Sequence, residues 1–182
     1  EALNENEKNV DFFRIVASDG TESTTTDFAV NVSGENDAPI FVNSKTEATI
    51  TELPNSSEIT TAGLRGVFTA NDPDSKAVLT YSIETNSDNI ESNYNNVFSN
   101  NITTSDGSYG SLNLNSATGA FIYTPDISAV EALNENEKNV DFFRIVASDG
   151  TESTTADFTV NVSGENDAPI FVNSKTEATI TE

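Results

Sequence analysis

Residues 155–163, TADFTVNVS, alternate strictly: Ala156, Phe158, Val160 and Val162 fall on one side, Asp157, Thr159, Asn161 and Ser163 on the other. A period of two predicts a strand with one buried face. The same alternation runs through Leu79, Tyr81 and Ile83 in AVLTYSIE, Leu112 and Leu114 in SLNLN, and Phe121 and Tyr123 in AFIYT. SLNLN and AFIYT are joined by the short Gly-containing turn NSATG, so they read as a hairpin. VDFFRIVA (140–147) is apolar on both faces, the pattern of a central strand, and the Asp-Gly turn at 149–150 leads towards the last strand. With TEATIT (46–51) and GVFTA (66–70) the count reaches about seven strands. No stretch carries sustained helical periodicity with caps. The expected class is all-β, and about seven short strands separated by turns predict a two-sheet Greek-key sandwich.

The pattern occurs more than once. Residues 1–52 and 131–182 are identical at 50 of 52 positions, differing only at Thr26/Ala156 and Ala29/Thr159. Self-similarity at a fixed period marks tandem units. The chain, which begins EALNENEK and reads as a piece of a longer one, therefore divides into three parts. Residues 1–38 are the end of one repeat, 39–168 a complete repeat, and 169–182 the start of a third, joined end to end.

Composition narrows the chemistry. Thirty acidic residues against eight basic ones give a net charge of −22, and the sequence has no His, Cys, Met or Trp. Such a surface repels phosphates and anionic lipid heads, so neither nucleic acid nor direct membrane insertion is expected. Without Cys there is no disulfide framework and no thiolate metal site. Without His as well, only hard oxygen ligands remain, which suit calcium or magnesium. An enzyme is not expected either. A Ser nucleophile would find no His base, and no Gly-rich phosphate loop is present.

The stretch FRIVASDGTESTTADFTVNVSGENDAPIF resembles the last two strands and exit linker of the cadherin-like modules of bacterial surface adhesins, the VCBS repeats. NDPDSKAVLTYSI and YGSLNLNSATGAFIYTPD continue the resemblance in the expected order, over roughly residues 39–168. The resemblance implies a non-catalytic extender repeat of a giant secreted adhesin at the bacterial cell surface, where stacked sandwiches form a stalk supporting adhesion and biofilm formation. Its implied partners are neighbouring repeats of the same chain and calcium ions, with the host or surface ligand bound elsewhere in the parent protein.

In the related cadherins calcium sits at each junction between domains. Carried over to this sequence, the first junction would use Glu35, Asn36 and Asp37 from the linker, Asp72 and Asp74 from NDPDS, and Asp149 from ASDGT. The second would use Glu165, Asn166 and Asp167, Glu52 from ATITE, and Asp126 from YTPD. The linker departs from the cadherin pattern: Gly34 stands where an Asp is usual, with Glu35 beside it. Calcium accepts six to eight oxygens in irregular geometry, which carboxylates on turns can supply. Each motif also has a plainer reading. Asp-Pro-Asp is a common turn, Asp-Gly a hairpin signal, Glu52 a solvent-facing charge and GENDAP a flexible linker.

One segment stands outside the resemblance. Residues 85–108 hold seven Asn among 24 residues, plus Tyr94. That composition could bind carbohydrate or another surface, an alternative function for the module. The plainer reading is a solvated loop with a short extra hairpin using Ile90, Val97, Phe98 and Ile102.

Overall fold

The computed structural model describes residues 3–42, 44–55, 57–84, 101–169 and 180. The chain is nearly all β. A hairpin, β1 (Lys8–Ser18) and β2 (Ser23–Ser33), comes first. Then follow β3 (Ile40–Phe41), β4 (Glu47–Glu52), β5 (Ile59–Ala62), β6 (Arg65–Val67), β7 (Ala70–Asn71) and β8 (Thr80–Ile83). After residues 85–100 come β9 (Ile102–Asp106), β10 (Gly110–Asn115), β11 (Ala120–Pro125), the one-turn helix α1 (Ile127–Val130), β12 (Lys138–Ser148) and β13 (Ser153–Ser163).

Two sheets face each other in the complete repeat. One runs β6-β11-β10-β9, all antiparallel; the other runs β5-β4-β13-β12-β8, with β4 and β13 parallel. A short ladder, β3-β7, stands beside them. The alternation in the sequence is the alternation of burial. Phe158, Val160 and Val162 turn into the core while Asp157 and Asn161 face solvent, and Tyr81, Ile83, Leu112, Leu114, Phe121 and Tyr123 are likewise buried. Phe68, Phe121 and Phe158 meet at the centre, with ring centroids 4.6 to 5.7 Å apart. Each buried aromatic contributes about 1.5–3 kcal/mol by leaving water.

Several elements differ from the sequence expectation for identifiable reasons. β12 does lie between two strands, but Val140 and Phe142 on its outer face are 52% and 44% exposed. Among the described residues no second layer covers them; the Arg144 guanidinium lies 5.7 Å from the Phe142 ring centre instead. Within the Asn-rich insertion, Ile102–Asp106 is a sheet strand rather than a solvated loop. Its inward positions are Thr103 and Ser105, so no apolar alternation announces it. Ile90, Val97 and Phe98 lie outside the described residues, as do 170–179, most of the third part.

One carboxylate is buried by full pairing. Asp141 accepts from the Tyr123 hydroxyl at 2.5 Å, from the Ser108 N–H at 2.7 Å and from the Tyr109 N–H at 3.0 Å. Burial, and then the bond to Asp141, hold the Tyr123 hydroxyl protonated well above the usual phenol range. Asp141→Ala would strand all three donors and is expected to cost roughly 3–5 kcal/mol. Tyr123→Phe removes a single bond to a charged group, about 1.5–3 kcal/mol. Urea unfolding of both variants checks this ordering, and equal losses would contradict it.

Candidate metal centre at the repeat junctions

The linker that opens with Gly164 is seated by close backbone approach. A Cβ on Gly164 would lie 2.5 Å from Leu133 Cβ and 2.7 Å from the Asn134 carbonyl oxygen. The Gly164 N–H donates to the Glu137 carbonyl at 3.0 Å, and the Asn136 N–H to the Gly164 carbonyl at 3.2 Å. Gly34 sits the same way against Leu3 and Asn4. Glycine begins the repeated GENDAP because another strand of backbone occupies the space of a side chain.

Seated there, the linker meets the end of β4. The Glu165 N–H donates to Glu52 Oε2 at 2.8 Å. Glu52 is only 1% exposed, and its Oε1 has no protein partner. Glu131, at the C-cap of α1, also turns a buried and unpartnered Oε1 inward. Asp167 Oδ1 accepts from the Asn55 N–H at 2.5 Å, and Asn55 Oδ1 accepts from the Ala168 N–H at 2.7 Å. Glu52, Glu131 and Asp167 each offer an oxygen, and these lie within 4.8 Å of one another. Burial first, then the charges of Glu52 and Asp167, push the Glu131 carboxyl above its ordinary pKa. Three converging carboxylates with two stranded oxygens could hold a divalent cation.

The other end of the repeat carries a second set. Asp74 Oδ2 accepts from the Asp37 N–H at 2.9 Å, and Asp72 Oδ1 from the Asp74 N–H at 2.8 Å. The remaining oxygens, Asp72 Oδ2 and Asp74 Oδ1, are buried without a protein partner. The Asn36 side chain donates to Asp149 Oδ2 at 3.0 Å. Asp149 Oδ1 meanwhile closes its own turn, accepting from Thr151 N–H at 2.6 Å and Glu152 N–H at 2.8 Å. Those two backbone donors, and then Asn36, hold its carboxyl below the ordinary pKa. One oxygen of Asp149 thus closes its own turn and the other meets the linker residue Asn36.

A third contact ties the hairpin β1-β2 to the complete repeat. Asn4, held by its own N–H and side chain to Glu7 Oε2, accepts from the Lys76 N–H at 3.1 Å and the Ser75 hydroxyl at 3.3 Å. Lys76 Nζ lies 3.6 Å from Glu7 Oε1. Asn134 and Glu137 repeat the first half of this arrangement.

The structure thus brings Asn36, Asp37, Asp72, Asp74 and Asp149 together at one end, and Glu52, Glu165 and Asp167 at the other. Glu165 contributes its backbone N–H; Glu35 and Asn166 are on the surface, Glu35 and Asn166 both exposed. Asp126 stands apart from that group. It is not one of the three clustered carboxylates, and its Oδ1 caps α1 by accepting from the Ala129 N–H at 3.2 Å. The acid in that region which does reach the cluster is Glu131, five residues on, which sequence reasoning missed. Its place follows from the short helix, one turn that no sequence period marks, which carries the chain back to the end of β4. No protein-family model matches the chain, and no curated protein matches it either.

The seat of the linker can be tested directly. Gly164→Ala should destabilise the chain by roughly 1–3 kcal/mol, because the added methyl cannot be placed without moving the 133–134 backbone. Thermal melting compared with Gly150→Ala, where a Cβ meets nothing within 4 Å and only the φ of +100° is strained, separates crowding from strain. Equal losses would mean that the close approach is not the constraint.

Proposed function

We propose that this chain is a calcium-stiffened extender of a bacterial surface adhesin, in which divalent cations bound at each linker turn flexible joints into rigid ones. The observation that carries the reading is a pair of carboxylate sets, each gathered on a copy of the same linker and each holding buried oxygens without a protein partner. Because residues 34–41 and 164–171 are identical, the two sets describe two halves of one kind of junction. Glu52, Glu131 and Asp167 supply the half contributed by the module before a linker. Asp72, Asp74 and Asp149, with Asn36 and Asp37, supply the half contributed by the module after it. Their ligand chemistry is all oxygen, on turns of irregular geometry, which favours calcium over the tighter octahedron of magnesium. The tandem repeat, the charge of −22 and the resemblance to cadherin-like VCBS modules support a secreted stalk at the cell surface. Adhesive ligand binding would then belong to another part of the parent protein.

The experiment is a calcium titration followed by thermal melting and small-angle scattering. A cation that binds only the folded state adds about 2.7 kcal/mol at a hundredfold excess over its Kd, which in a domain of this size raises Tm by roughly 10 °C. Asp72→Ala with Asp74→Ala should remove much of that gain while leaving the fold intact. Glu131→Gln should act in opposite directions. In chelator it relieves repulsion with Glu52 and Asp167 and raises Tm; in calcium it removes a ligand and shrinks the gain. Scattering in chelator should show a broader range of shapes. Identical Tm and scattering in chelator and in millimolar calcium would leave the junction as a plain linker.

A further inference from the structure

The chain enters the complete repeat at one end and leaves it at the other. On entry, the Asn36 side chain donates to Asp149, just ahead of β13, and the Asp37 N–H donates to Asp74. Ile40 and Phe41 then pair antiparallel with Asn71 and Ala70, and the Val42 N–H donates to the Thr69 carbonyl at 2.8 Å. The exit, residue 164, follows the far end of β13, whose 11 residues cover roughly 35 Å at the usual rise. A pull passed along the backbone therefore runs along the strands.

One interaction lies in that path. β4 and β13 pair in parallel, from Glu47 opposite Thr159 to Thr51 opposite Ser163. The pairing does not stop at the strand ends. Before β4, the Thr46 carbonyl accepts from the Thr159 N–H at 2.9 Å. At the other end the Ser163 hydroxyl donates to Thr51 Oγ1 at 3.3 Å, and the Glu165 N–H to Glu52 Oε2 at 2.8 Å. Asn55 closes the series twice over: its N–H donates to Asp167 Oδ1 at 2.5 Å, and its Oδ1 accepts from the Ala168 N–H at 2.7 Å. Every one of these contacts joins residues 112 or 113 apart. A single register thus runs from Thr46 to Asn55 on one side and from Thr159 to Ala168 on the other, through strand and linker alike.

Direction decides how such a pairing fails. Tension draws β4 by its N-terminal end and β13 by its C-terminal end, so the parallel strands are loaded to slide past each other. Their hydrogen bonds lie across the pull and share it, and many must break together. A hairpin pulled at its two open ends has no such protection. In β12-β13 Lys138 would part from Ser163 first, and each pair would follow in turn. Unfolding under force is governed by the height of that barrier rather than by equilibrium stability.

We infer that residues 46–55 and 159–168 form the load-bearing clamp of the repeat, and that Glu52 and Asn55 extend it into the linker so that tension arrives as shear rather than as peeling. The inference takes from the stalk reading only the direction of the load. The clamp is made of protein contacts, so it acts with or without a bound cation.

Single-molecule force spectroscopy in chelator tests this, independently of whether the junctions take calcium. Because the sequence has no Cys, Lys138→Cys supplies a unique handle at an exposed position. Pulled from its two termini, the 182-residue chain should unfold its complete repeat at a force several-fold higher than when pulled between residue 138 and the C-terminus. Asn55, at a φ of 59°, stands in the left-handed region that glycine enters freely. Asn55→Gly therefore keeps the backbone and the bond to Asp167 and loses only the bond to Ala168. It should lower the end-to-end force and leave the force in the other direction unchanged. Asn101→Gly, at a φ of 64° but outside the clamp, should match the parent chain in both directions. Equal parent forces in the two directions overturn the inference, as does Asn55→Gly unfolding end to end at the parent force. A fall in both directions for Asn55→Gly would mean a plain loss of stability and would overturn it equally.

Discussion

A buried carboxylate oxygen must be paired, and at each end of this repeat the protein pairs only half of what it buries. Glu52 and Asp74 each use one oxygen to hold a linker N–H, which fixes where the linker runs. The other oxygen of each faces inward without a protein partner. Leaving a charged acceptor in that state costs more than the one to three kilocalories of a neutral group. The position of the linkers, and through them the relation of one repeat to the next, depends on what satisfies those oxygens.

The linker sequence can be understood from this constraint. Gly34 and Gly164 let the chain lie against the 3–4 and 133–134 backbone. The following residues then present N–H groups to carboxylates rather than wander: Glu165 to Glu52, Asp37 to Asp74. Pro39, which is buried, has no N–H to satisfy and a fixed φ, so it can enter the next module without a donor to pair. The hairpin's clamp on Ser75 and Lys76 is of another kind. Its ion pair is well exposed and worth little alone.

Much of this was legible in the sequence because strands with one buried face write their period into it. β13, β10 and β11 alternate cleanly and lie where the alternation puts them. β9 and β5 were missed for physical reasons. The first turns Thr103 and Ser105 into the core, and the second is a largely exposed edge strand, so neither carries an apolar period. At the junctions, Asp72, Asp74 and Asp149 could be placed by their turns, since each follows a strand whose direction was clear. Glu131 could not, because its reach depends on a single helical turn that no periodicity marks. Asp126, which the resemblance offered to the second junction, has one oxygen occupied in starting that same turn.

Asp141 shows that unpaired oxygens are a property of place rather than of a fold that packs acids badly. It is as buried as the junction acids, at 3% exposed, and both its oxygens are paired, to a phenol and two backbone N–H groups. The fold can satisfy a buried carboxylate entirely from within when that carboxylate lies between its sheets. Among the described residues, every buried carboxylate oxygen without a protein partner belongs instead to Glu52, Asp72, Asp74 or Glu131, all at the ends where a linker passes. At each end neighbouring carboxylates repel one another, and a positive partner reverses the sign of that interaction.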